Sequence, residues 1–303
     1  MRKSGQFLLC VSAMMALVLF LSACSASIGG GSGTGTSNLT VLQVMQKSTD
    51  AMKSLKSSHV NLQSTYAVQG NTSATATPGA TPTASGTPQS VSATVKGSGD
   101  QALPDQMQMD LTIGQGITVS EILQGDNVYI KGIDGKWYVI NKKDIQGVLG
   151  NTFSNFSLNT NDLLGILTHT QINDHGDESL SGQSLRHVTA TLDRDALKQL
   201  LENNPQLAGQ FGQQNVDTVV NNLKSFNSSV DVWIDETNFY VHRTELKLTL
   251  LADTSQVGNG APNTFSTNSD IIVDLSNFNK TVTITPPTDA TPITDPTTIL
   301  GLK

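Results

Sequence analysis

Cysteine is almost missing from this sequence: of 303 residues only Cys10 and Cys24 carry a thiol, and both fall within the first 24 positions. The remainder has no disulfide framework and no multi-cysteine metal site open to it, so its stability has to come from a packed core. A basic excess is missing too. There are 18 Lys and Arg against 25 Asp and Glu, a formal net charge of −7, which argues against nucleic acid as a partner and leaves no polybasic patch for anionic lipid headgroups. The sequence contains no Gly-x-Ser-x-Gly, no Gly-x4-Gly-Lys-Ser/Thr, no His-Glu-x-x-His and no Gly-x-Gly-x-x-Gly, so nothing in it points to an enzyme, a cofactor or a bound metal. Long apolar runs reduce to one, Phe7 to Leu21, which is shorter than the ~20 residues of a spanning helix.

That run is the first positive feature. Arg2 and Lys3 precede it and Leu21-Ser22-Ala23-Cys24 follows it, the pattern of a secretory signal ending in a lipobox. Residues 1–23 are expected to be a lipoprotein signal peptide, with Cys24 acylated as the new amino terminus by a diacylglyceryl group and often a third, palmitate-type chain. Each buried methylene is worth ~0.8 kcal/mol, so two or more chains hold stably where one does not. The alternative, an uncleaved anchor helix, leaves Cys24 without a role. The expected location is the cell membrane, lipid-anchored on its extracytoplasmic side. Loss of Arg2 and Lys3 leaves 16 basic against 25 acidic side chains, about −9 by the same count.

Residues 24–38, rich in Gly, Ser and Thr, read as a flexible tether reaching ~20 Å. Residues 70–90 repeat Thr, Ala, Pro, Gly and Ser and cannot bury enough apolar surface to order themselves; an unmodified solvated loop is favoured over an O-glycosylated one. The segment from Ala252 to Asn268 looks like another extended loop. Residues 286–303 form a Pro/Thr-rich tail, with four prolines between Pro286 and Pro296, expected to be unstructured.

What remains, 39–285, is a single domain with a strong strand signal. Met107, Met109, Leu111 and Ile113 alternate with Gln106, Gln108, Asp110 and Thr112, the mark of a half-buried strand. The same period runs through Val60 to Val68, Val230 to Ile234 and Leu246 to Leu250. Further strands are expected at 91–98, 117–124, 127–131, 136–140, 183–192, 269–275 and 280–285, with Asp134-Gly135 as a hairpin turn. Helical spacing appears from Val41 to Leu55, where Thr40 and Gln43 make a capping box. Shorter helices are expected from Asn161 or Asp162 to Leu167, from Ala196 to Leu201 behind Asp193, and from Gln213 to Leu223.

Individual side chains offer few chemical candidates. His169 and His175 lie near Asp174, Asp177 and Glu178 and could serve a metal, but a polar turn entering a strand is the favoured reading because nothing fixes their spacing. His187 and His242 fall in strands, where hydrogen-bonded or solvent-facing histidines are usual. Trp137 and Trp233 could grip a ligand, although large aromatics in strands are more often core. Asp193 and Asp195 fit a helix start better than a catalytic pair. Met107 and Met109 are the most interesting, since flexible thioethers adapt to ligands of irregular shape.

Four local patterns, in order behind the lipobox, resemble the LppX/LprAFG lipoproteins, relatives of the LolA/LolB-like carriers. They are the helix running into a strand at Ala51 to Val60, the hairpin Gly125-Asp126-Asn127-Val128-Tyr129-Ile130 with Gly135-Lys136-Trp137-Tyr138, the strand and helix from Gly182 to Leu201, and a closing strand from Asn279 to Pro286. The resemblance implies an α+β fold: a strongly curved antiparallel sheet, or half-barrel, with a few helices across its concave face, enclosing an apolar cavity for acyl chains. The residues expected to line it are Met107, Met109, Leu111, Ile113, Leu123, Val128 and Ile130. The function implied is a monomeric, non-enzymatic lipoprotein that binds or carries a lipid or glycolipid. The alternatives are an envelope sensor or protein-interaction module of the same fold without a ligand, then a structural envelope protein, then an uncharacterised hydrolase.

Overall fold

Thr40 opens the first ordered element. In the computed structural model, which describes residues 36–71, 89–144, 170–203, 216–253 and 264–294, helix α1 runs Val41–Lys53. Its capping box is complete: the Gln43 amide donates to Thr40 Oγ1 at 3.3 Å, and the Thr40 amide donates to Gln43 Oε1 at 2.9 Å. The stripe Val41, Val44, Met45, Ser48 and Met52 is buried, the i, i+3, i+4 pattern of a helix lying on a core. The leader, Cys24, residues 72–88, the 161–167 segment and His169 lie outside the described residues.

Among the described residues, twelve strands form one open sheet. They are β1 (Ser57–Asn71), β2 (Gln89–Ala102), β3 (Gln106–Ile113), β4 (Ile117–Gln124), β5 (Asn127–Lys131), β6 (Trp137–Asn141), β7 (Gln171–Leu180), β8 (Gln183–Thr191), β9 (Leu223–Ile234), β10 (Val241–Asp253), β11 (Thr264–Ser276) and β12 (Thr291–Pro292). The spatial order is β12-β6-β5-β4-β3-β2-β1-β11-β10-β9-β8-β7. Two antiparallel meanders, β1 to β6 and β7 to β11, are thus joined where β11 lies antiparallel to β1, from His59 opposite Ser276 to Asn71 opposite Thr264. Helices α2 (Arg194–Asn203) and α3 (Val216–Asn221) bridge β8 and β9. Asp193 caps α2, its Oδ1 accepting from the Ala196 amide at 2.8 Å.

The sheet is strongly curved, and its burial pattern shows why. Inward residues of β1 to β3 and of β7 to β11 share one buried cluster with α1, α2 and α3. Those eight neighbouring strands laid flat are ~35 Å across, whereas a 13-residue helix is ~20 Å long; a sheet that wraps brings them all to one set of helices. Bulges at Asp174/Gly176, Val241/Arg243 and Leu251/Ala252 add local bend.

Several expected boundaries move. The 70–90 loop is narrower than expected, because Gly70 and Asn71 still pair in β1 and Gln89 and Ser90 already pair in β2. The residues expected as a tether as far as 38 are fixed from Thr36 on: the Ser37 amide and hydroxyl both donate to Glu236, at 2.8 and 2.7 Å. Asp174, His175, Asp177 and Glu178, expected in a polar turn entering a strand, lie within strand β7 itself. The closing strand expected at 280–285 does not form. Asn277 and Asn279, with φ of 54° and 57°, turn the chain away, and β1 already has β2 and β11 on its two edges. Within the tail, Thr291–Pro292 instead pairs parallel with β6, and the Ile293 amide donates to the Val139 carbonyl at 2.9 Å.

Candidate functional site

Strand register, a consequence of the two-residue period, assembles the expected lining residues on one concave patch. Met107 lies opposite Leu123, which lies opposite Val128, which lies opposite Ile140. One step along, the row reads Met109, Glu121, Ile130, Tyr138. Leu111 pairs with Val119 and Ile113 with Ile117. Met107, Met109, Leu111, Val128 and Ile130 are buried, while Ile113 and Leu123 are half-buried and pack against two separate apolar clusters. One cluster is the main core over α1. The other is Val119, Val128, Ile130 and Ile140, flanked by Tyr138 and Ile293.

Glycines on β2 shape the same patch. A β-carbon at Gly97 would sit 2.8 Å from Leu111 Cδ2 and 2.9 Å from Met109 Sδ, so these side chains lie directly on the β2 backbone. The hollow over α1 is filled: Val44, Met45, Leu197 and Leu246 are fully buried within the core. A separate surface cleft of about 430 Å³, lined by Thr65, Tyr66, Ala93, Thr94 and Gln115 among others, lies along β1 and β2 beside the β3–β4 turn, open to solvent and lined by polar and apolar atoms alike.

Glu121 lies in the middle of this patch and is not among the residues expected there. Val119, Glu121 and Leu123 share one face by simple alternation, and that signal was sufficient to place the carboxyl inward. Its Oε1 is buried and has no hydrogen-bond partner. Burial pushes its titration well above the usual carboxylate range, with the Lys142 charge opposing this in part.

On the convex face, rings stack across three strands. His175 lies 4.4 Å from His187, and His187 lies 4.2 Å from Trp233, the ring planes nearly parallel in both cases. The Arg243 guanidinium follows at 5.9 Å from the Trp233 ring and is held by Asp274 at 2.6 Å. His187 is bracketed by Asp231 and Glu178, each at 3.0 Å. Burial lowers its affinity for protons, but the two carboxylates outweigh burial and raise it. Trp233 is therefore buried beneath a polar outer network and not in the apolar core; Trp137 is half-buried on β6.

The acidic neighbours of His175 are turned to other partners. Asp174 accepts two hydrogen bonds from Arg186, Asp177 accepts from Thr36, and Glu178 accepts from Trp233 Nε1 at 3.2 Å. Among the described residues no group of His, Cys, Asp and Glu is arranged to hold a metal ion. His242, half-buried with its ring edge-on to Phe278, binds protons less readily because of burial.

The described residues thus form an open, curved antiparallel sheet with an amphipathic helix packed on its apolar inner face. The chain belongs to a family of unknown function, DUF6612, which matches residues 40–292. Among solved structures it is similar to the lipoprotein LppX of Mycobacterium tuberculosis, at 18% identity over 80% of this chain and 97% of that one with a TM-score of 0.45. It is also similar to LprF of Mycobacterium bovis, at 14% over 81% and 96% with a TM-score of 0.43. A LolA superfamily protein of Nitrosomonas europaea matches at 11% over 82% and 96%, with a TM-score of 0.23. No curated protein matches the chain.

Proposed function

We propose that this protein is a membrane-anchored extracytoplasmic lipoprotein that binds or carries a lipid or related amphiphile between the concave face of β3 to β5 and the helices. The observation that carries this reading is the in-register apolar face of Met107, Met109, Leu111, Leu123, Val128 and Ile130, lying where two apolar clusters meet at half-buried Ile113 and Leu123. Clusters joined only through half-buried side chains separate at lower cost than one continuous core. Methionine side chains then re-pack around an acyl chain. Transfer is by partition: each methylene moved from water to an apolar environment gains ~0.8 kcal/mol, so the interior substitutes for the bilayer. No catalytic group is needed.

The full chain, purified with its anchor in detergent, should carry extractable lipid detectable by native mass spectrometry in addition to the covalent chains on Cys24. Preparations that are empty from every growth condition would count against the reading. One observation favours the second reading, a sensor or protein-interaction module: the hollow over α1 is filled by fully buried Val44, Met45, Leu197 and Leu246. That role requires a stable protein partner in cross-linking and no lipid in the extract.

A further inference from the structure

Glu121 faces inward from β4, opposite Met109 on β3 and Ile130 on β5, with Val119 and Leu123 two residues away on the same face. The residue is 2% exposed, and its Oε1 has no hydrogen-bond partner. Such an atom is expensive to keep, since a buried acceptor without a donor forfeits its hydration and gains nothing in return. Any aliphatic side chain of similar size would fill the position at lower cost. With the Lys142 charge offsetting burial only in part, a local rule broken in this way points to compensation from outside the fold.

We propose that Glu121 is the polar recognition point of the ligand site: its carboxyl accepts a hydrogen bond from an uncharged hydroxyl of the amphiphile's head, so that the ligand is a neutral, hydroxyl-bearing lipid. This inference rests on the carrier reading above. The surroundings select against the other head chemistries. A phosphate would have to carry its negative charge out of water into apolar surroundings. An ammonium would need the carboxyl ionised, which burial opposes, and would share the site with the positive charge of Lys142. A glycerol or sugar hydroxyl needs neither, and it leaves the tails to lie along Met109, Leu111 and Ile130.

The test uses the full anchored chain in detergent micelles, stripped of non-covalent lipid and offered dioleoylglycerol, a monohexosyl dioleoylglycerol or dioleoyl phosphatidic acid, with retention read by native mass spectrometry. The wild type should retain a neutral lipid about tenfold better than phosphatidic acid, the factor that one hydrogen bond of ordinary net strength supplies. The two neutral probes tell a glycerol hydroxyl from a sugar hydroxyl. Glu121→Leu should hold tails but lose the preference, and should melt at least ~2 °C higher because the unsatisfied carboxyl is gone. Glu121→Met gives the same readout should the leucine variant not fold. An undiminished preference in both variants, or a wild type that favours phosphatidic acid, overturns the assignment. Equal retention of all three lipids by the wild type defeats the Glu121 inference and leaves the carrier reading standing, whereas no retention of any lipid defeats both.

Discussion

His187 shows how much a single side chain can depend on its neighbours. Wedged between Glu178 and Asp231 and stacked between His175 and Trp233, it binds protons more readily than an ordinary histidine, while both carboxylates give up theirs more readily than usual. A raised histidine stabilises the fold fully below the unfolded value near ~6.5 and loses that contribution as pH climbs through the higher folded value. The lowered carboxylates stabilise above ~4 and lose their contribution as pH falls through their folded values. The cluster therefore contributes most between roughly pH 4 and 6.5. His187→Gln should lower Tm more at pH 5.5 than at pH 9, as read by calorimetry; an equal drop at both would contradict the assignment. The sequence put His187 in a strand as a hydrogen-bonded or solvent-facing side chain, but it favoured the core for Trp233, which instead lies opposite His187. That they stack was not legible, because residues 46 positions apart meet only through the pairing of β8 with β9.

At the scale of elements, the junction between tether and sheet is the most constrained. Arg186 on β8 donates to Asp174 on β7, to Glu236 in the β9–β10 turn and to the Leu39 carbonyl ahead of α1, and it is almost wholly buried. Its two carboxylate partners raise its affinity for the proton. Removing one member of a buried ion pair leaves uncompensated charge, typically a loss of 3–5 kcal/mol. Arg186→Met should cost about that much in chemical denaturation and should free Ser37 and Leu39 from the sheet, visible as faster amide exchange at the start of α1. Thr40→Ala, which removes only the cap, should cost ~1 kcal/mol in the same measurement. The cap was readable because its donor and acceptor lie three residues apart. Strand β7 was not, because Asn173-Asp174-His175-Gly176-Asp177-Glu178 offers no apolar alternation and carries a bulge; an edge strand of this composition forms because β8 provides the ladder.

For the molecule as a whole, the proposed anchor and the apolar patch are separable. Cys24→Ala should abolish incorporation of labelled palmitate and release the protein from the membrane fraction, with the folded domain unchanged in circular dichroism; continued labelling would remove the lipobox from the account. Replacing 72–88 with a short turn between β1 and β2 should leave stability within ~1 kcal/mol, since loop closure depends only weakly on loop length. A large loss on denaturation would mean that the segment packs against the domain.

What the sequence settled alone was whatever depends on neighbours a few positions away. The Thr40 capping box, the Asp193 cap, and the alternation that put Met107, Met109, Leu111 and Ile113 on one face all follow from side-chain chemistry within one or two turns or pleats. Tertiary structure alone decided that β11 inserts beside β1, that 280–285 has no edge left to join, that Thr291–Pro292 finds one at β6, and that the Met109 and Ile130 rows meet at Glu121. Pairings across tens to hundreds of residues are chosen by which register buries the most apolar surface around the helices, and that sum belongs to the assembled sheet and to no single segment of it.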